Sequence, residues 1–123
     1  MTLRGRCLCG ACGFRVEGEA SAASACHCTM CRKTSGHVRA SARAPEKSVT
    51  IEGPVTWFAA SESAERGFCP GCGASMVWRG HGEGMVSFAQ GCLDGDTGLR
   101  LEKHISTADK GDDHEIADGL PQS

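Results

Sequence analysis

The segment FCPGCG, residues 68–73, decides how the rest of the chain is read. Cys69 and Cys72 stand in C-x-x-C spacing across a turn containing Pro70, Gly71 and Gly73. That is the makeup of a zinc knuckle. Backbone N–H groups in such a turn can point at the sulfurs and stabilise thiolate charge, and glycine tolerates the positive φ this needs. A knuckle supplies two ligands of a tetrahedral site, so two more must come from elsewhere. Cys7 and Cys9, in CLCGAC (7–12), stand in C-x-C spacing and on an extended strand would share a face. The four sulfurs together would close a site with Zn–S roughly 2.3 Å and tie the N-terminus to mid-chain.

Composition calls for such a staple. The chain has 123 residues, with 17 Gly, four Phe, two Trp and no Tyr. Its length suits one domain over 1–123, with a polar C-terminal tail from about 106 to 123 lying over the surface. Gly is at about twice its usual share, and a glycine-rich, aromatic-poor chain offsets its conformational entropy poorly by burial alone. Nine cysteines are available. The N-terminal MTLRGRCLCG has no apolar run of a signal peptide, and an odd cysteine count would leave one thiol unpaired. C-x-C and C-x-x-C spacings suit chelation in a reducing compartment, so the chain reads as cytoplasmic and zinc-bearing. It contains no apolar run long enough for a membrane span. A net charge of −2 and few aromatic residues argue against a nucleic-acid partner.

A second group of thiols lies in ACHCTMCRKTSG (25–36). Catalytic zinc sites commonly keep three protein ligands and one open position, and Cys26, Cys28 and Cys31 fit that count. The alternative is a closed site completed by His27, His37, His104 or Cys92. Spacing alone also allows the cysteine pairs to be exchanged between the two sites. Cys12 leads an alternating apolar face with Phe14 and Val16, where a thiol behaves as a small hydrophobe. The basic residues after the trio, Arg32 and Lys33, with Arg39 and Arg43, can hold the carboxylates of an anionic thiol. The competing reading places Arg39 and Arg43 on a solvated strand face, because VRASARA (38–44) alternates them with alanines.

Short alternating segments dominate. CGFRV (12–16), VRASARA, SVTIEG (48–53), VTWFAAS (55–61), ASMVWRG (74–80), GMVSFAQG (84–91) and RLEKHIS (100–106) all read as strands between Gly, Pro or Ser breaks. No long helical period is present, and at most a short turn of helix follows Cys28. The expectation is an all-β domain of about eight to ten short antiparallel strands.

Several motifs run along the chain in order: GRCLCGAC (5–12), CHCTMCRKTSG (26–36), FCPGCGASM (68–76), GCLDG (91–95), KHI (103–105) and IADGLP (116–121). On these motifs the chain resembles the glutathione-dependent formaldehyde-activating enzyme family, which also includes centromere protein V. The resemblance implies a β-tent fold stapled by two zinc ions. It implies a structural zinc on Cys7, Cys9, Cys69 and Cys72, and a catalytic zinc on Cys26, Cys28 and Cys31 with a vacant fourth position. The implied activity is carbon–sulfur lyase chemistry, condensing glutathione or a similar thiol with formaldehyde or a related aldehyde to an S-hydroxymethyl adduct. The other function considered is a non-catalytic, zinc-stabilised β module that binds a protein partner. One departure stands out: His114 lies where the family often carries Trp.

Overall fold

The computed structural model describes residues 2–123 of the chain. Alternating small or apolar residues build ten short strands and one α-helix among them. In chain order these are β1 (Thr2–Arg6), β2 (Gly13–Glu17), β3 (Ala23–Cys26), the helix α1 (Thr29–Ser35), β4 (Arg39–Pro45), β5 (Val49–Glu52), β6 (Thr56–Phe58), β7 (Ala64–Phe68), β8 (Ser75–Gly80), β9 (Met85–Ala89) and β10 (Leu101–Ile105). Three of the strands, β1, β3 and β7, carry no pattern strong enough to announce them. Their buried positions hold Gly5, Ala23, Ala25, Ala64, Gly67 and the charged Arg66 beside a single Leu3, so the inward face lacks the apolar bulk that marks a strand.

The strands form two open sheets, one in the order β1-β2-β5 and one in the order β10-β3-β4-β9-β8-β7-β6. Antiparallel pairing holds everywhere except at one edge, where β10 runs parallel to β3. This corrects the wholly antiparallel expectation. Parallel neighbours need a long connection, and most of the chain lies between these two strands.

The sheets meet through Phe14 of β2 and Phe88 of β9, whose ring centroids are 5.5 Å apart. Val16, Ala42, Ala44, Met76, Val77 and Val86 complete the packing, and Cys12 is fully buried among them. Gly5 is required here: a Cβ at this position would lie 2.4 Å from the Phe14 ring. No helix is long and apolar enough to cross a membrane among the described residues.

One expectation changes. The alternation in VRASARA is kept only at one end of β4. Ala42 and Ala44 are buried and Arg43 is exposed, but Arg39 is buried too, at 6% exposure. Its backbone pairs with Cys26 at the inner end of β3, where α1 also packs. The tail lies along the surface and is tied to the edge of the sheet. The His104 N–H donates to the Pro121 carbonyl at 2.9 Å, and the Ser123 N–H donates to the His104 carbonyl at 3.0 Å. Nε2 of His104 lies 2.7 Å from Oδ2 of Asp118.

Gly5→Ala is expected to destabilise the protein by about 1–3 kcal/mol through overpacking against Phe14, read as a lower urea midpoint at unchanged slope. The tail pair gives a pH signature. The His104 hydrogen bond holds the Asp118 carboxyl below its ordinary value. Stabilisation from a depressed carboxyl is complete above its unfolded pKa, about 3.9, and is lost as pH falls through the lower folded value. Asp118→Asn should therefore lower the urea midpoint near neutral pH, with the gap from the parent closing as the pH drops below about 4. A gap that stays constant across that range would remove the pair from the acid response.

Candidate metal centre

Cys7 and Cys9 do not lie on a strand. The chain turns immediately after β1: Cys7 N–H donates to the Cys12 carbonyl at 3.0 Å and Gly10 N–H to the Cys7 carbonyl at 3.2 Å. The second turn is built the same way, with Cys69 N–H on the Ala74 carbonyl at 3.0 Å and Gly73 N–H on the Cys69 carbonyl at 2.8 Å. It is these facing turns, and not the strand face expected from spacing, that bring the sulfurs together. Cys9 Sγ lies 3.6 Å from both Cys7 Sγ and Cys69 Sγ. All four sulfurs, with Cys72, lie within 4.8 Å of one another. A tetrahedron with Zn–S of about 2.3 Å has edges of about 3.8 Å, so the donor set fits zinc.

The turns also aim backbone donors at the sulfurs. Cys12 N–H donates to Cys7 Sγ at 3.3 Å, and that bond pulls the Cys7 thiol down to about 6. The backbone N–H groups of Cys9 and Ala74 lower the Cys72 thiol. Both effects favour thiolate, the form a metal takes.

Cys26, Cys28 and Cys31 form the second group, their sulfurs also within 4.8 Å of one another. Each comes from a different local context. Cys26 ends β3. Cys28 caps α1, its sulfur accepting the Cys31 N–H at 3.3 Å, which satisfies one of the donors a helix N-terminus leaves open. Cys31 is buried in the first turn of α1. Gly36, at φ 86°, ends the helix in the left-handed conformation that glycine takes without strain. The Cys31 thiol and then the Cys28 N–H pull Cys26 down to about 5, while the shared proton pushes Cys31 upward.

Among the described residues no fourth His, Cys, Asp or Glu joins this trio. His27 turns away into a buried pair, its Nε2 2.8 Å from Nδ1 of His104. Cys92 stands apart with its sulfur 3.9 Å from the Ser75 carbonyl.

Arginines surround the trio instead. Arg66 of β7 donates from Nη2 to Cys31 Sγ at 3.7 Å. Arg39 lines a hollow of about 260 Å³ whose walls include Cys26, Cys31, Ser41, Ser87 and Trp78. The exposed pair of Arg43 and Glu83, 3.3 Å apart, lies on its rim. Nε and Nη2 of Arg39, and Nε and Nη1 of Arg66, are buried without a partner. Such groups are costly unless a counter-charge is close. Burial pulls the Arg39 guanidinium down to about 10, with the Cys31 sulfur acting against it. Sequence reading passed over Arg66 because its strand, AERGF, was itself unmarked. Arg32 and Lys33 border a different hollow, about 160 Å³, with His37, Asp113 and His114.

The sequence matches the family described as "Glutathione-dependent formaldehyde-activating enzyme" over residues 2–109. The chain belongs to this family. No functionally curated protein matches it in sequence. Among solved structures, a crystal structure of a Rhodobacter sphaeroides protein is similar, with a TM-score of 0.65 at 21% identity, covering 98% of this chain and 99% of that one. At that identity the likeness speaks for the fold alone. Membership in the glutathione-dependent formaldehyde-activating enzyme family agrees with the cysteine motifs, which supply both sulfur groups.

If the four-sulfur group holds a structural zinc and the trio a second, open one, Cys69→Ser prevents folding, Cys28→Ser leaves a folded protein holding one zinc fewer, and Cys12→Val keeps its full zinc. Elemental analysis with circular dichroism checks all three. Equal unfolding by the first two would mean that both groups serve the fold.

Proposed function

We propose that the protein is a zinc-dependent carbon–sulfur lyase of the S-(hydroxymethyl)glutathione synthase type. It condenses glutathione, or a similar thiol, with formaldehyde or a related aldehyde. Cys7, Cys9, Cys69 and Cys72 hold a structural zinc, and Cys26, Cys28 and Cys31 hold a catalytic one. The observation that carries this reading is the convergence of the trio with no fourth side-chain ligand among the described residues, beside a hollow walled by a buried Arg39 whose Nε and Nη2 have no partner.

Zinc on the trio would supply a Lewis acid that keeps an incoming thiol ionised at neutral pH. Three thiolates on a divalent ion leave a charge near −1, and Arg66, in contact with Cys31 Sγ, offsets it. In the reaction the thiolate sulfur forms a bond to the aldehyde carbon. The C=O π pair moves to oxygen, which then takes the proton released by the thiol. The chain's contribution is placement, and holding two reactants together can account for several kcal/mol of barrier reduction. Glutathione carries two carboxylates. In this reading Arg39 binds one inside the hollow, and Arg32 with Lys33 takes the other from the outer turn of α1.

Arg39→Gln should weaken glutathione binding about 10- to 100-fold, the loss of one charge-assisted hydrogen bond of about 1.5–3 kcal/mol. The urea midpoint should hold or rise, because an unpaired buried charge is removed. Calorimetry reads the first and unfolding the second; an unchanged dissociation constant takes Arg39 out of substrate binding. The activity itself is tested by following adduct formation from ¹³C-formaldehyde and glutathione by NMR. A rate no greater than the uncatalysed one for the zinc-loaded protein would leave a zinc-stabilised binding module.

A further inference from the structure

Four of the chain's five histidines gather in one place, on residues the proposed chemistry does not use. His27 and His104 are ring neighbours, His27 and His114 stack at 5.8 Å between centroids, and His37 meets His114 edge-on at 4.4 Å. An acid joins the outer two. Asp113 has one carboxylate oxygen 3.3 Å from Nδ1 of His114 and the other 4.0 Å from Nδ1 of His37. One donor atom from each of His37, Asp113 and His114 lies within 4.8 Å of the others. A separate observation concerns unmet bonding. Nε2 of His114 and Nδ1 of His27 are buried without any partner, and buried imidazole nitrogens in folded proteins ordinarily have one.

We propose that His37, Asp113 and His114 form a third metal site, free of thiolate, for a divalent transition-metal ion. Two imidazoles, which are borderline donors, with one hard carboxylate suit Zn²⁺, Co²⁺ or Ni²⁺ and are distinct from the all-sulfur groups. An ion there occupies a ring nitrogen lone pair on each histidine and balances the carboxylate charge. Arg32 and Lys33 border the same hollow, so an anion rather than a neutral ligand is favoured in the remaining coordination positions.

The location gives the site a consequence. His37 follows Gly36, the residue that caps the helix carrying Cys31 and capped at its other end by Cys28. Asp113 and His114 belong to the C-terminal segment. An ion bound by all three clamps that segment to the helix of the sulfur trio and restricts how far the trio can open. This inference stands on the histidine cluster alone and is independent of whether the sulfurs bind zinc.

The full chain, stripped of metal and kept reduced, is titrated with Co²⁺ and followed by calorimetry and optical absorption. Cobalt bound to cysteine gives an intense near-ultraviolet sulfur-to-metal charge-transfer band; cobalt bound to imidazole and carboxylate gives only weak visible bands. The expected result is one equivalent that binds without adding to the charge-transfer band. His37→Ala with His114→Ala should lose that equivalent and keep the charge-transfer band at full height, which also shows that the variant is folded around its sulfurs. Asp113→Asn, a change in an exposed side chain, should weaken the same equivalent only. Parent and double variant taking up the same number of cobalt ions would overturn the proposal, as would a parent whose every bound equivalent carries the sulfur band.

Discussion

Four thiol sulfurs from two turns, sixty residues apart, lie within 4.8 Å of one another. Thiolates this close repel and cannot all ionise without a cation among them. The thiol energetics carry that conflict: Cys7 is drawn down to about 6 by the Cys12 N–H, while the neighbouring sulfurs push Cys9 up to about 11 against the Ala11 N–H. This convergence lies where the two sheets meet. Cys7 follows β1 of the small sheet and Cys69 follows β7 of the large one, so one cluster of sulfurs joins both sheets. With few aromatic residues, the core between the sheets rests on one phenylalanine pair and a set of small side chains. In the proposed reading, a structural zinc worth about 10–16 kcal/mol in comparable peptides stabilises what that packing leaves marginal.

The second sulfur group contrasts with the first in what surrounds it. Around Cys7, Cys9, Cys69 and Cys72 the electrostatic support comes from backbone N–H groups of tight turns. Around Cys26, Cys28 and Cys31 it comes from a helix N-terminus and from arginine side chains. Backbone donors are fixed by the turn, whereas the arginine donors buried without carboxylate partners keep free N–H groups; in the proposed reading the first suits a closed site and the second a substrate with carboxylates.

Legibility followed side-chain bulk and local spacing. Strands such as GFRVE and MVSFA, whose inward residues are large, could be read from alternation. The strands ASAC and AERGF could not, because Ala and Gly leave no amphipathic trace. The cysteine groups were visible because ligands close in sequence must be close in space. The geometry behind them was not: the sharing of a face by Cys7 and Cys9 is the work of a turn, where a strand had been expected. Alternation grouped Arg39 with Arg43 opposite the alanines, and both do line one hollow, but alternation says which residues share a face and not how deeply that face is covered.

The sequence alone determined the C-x-C and C-x-x-C ligand pairs, the β class and the family, because each is carried by motifs whose residues lie within a few positions of one another; which pairs share a site was decided by the fold, which brings Cys9 to Cys69 across 60 positions. Tertiary structure decided which charged side chains attend the trio. Arg66 reaches Cys31 across 35 positions of sequence, His27 turns away to pair with His104 across 77, and the acidic tail folds back to meet His37. These are contacts between elements far apart in sequence that only the folded chain brings together. No local spacing encodes them: the parallel register of β10 with β3 sets His104 against His27, while Arg66 on β7 and Asp113 on the tail reach α1 and its following loop through the packing of separate elements.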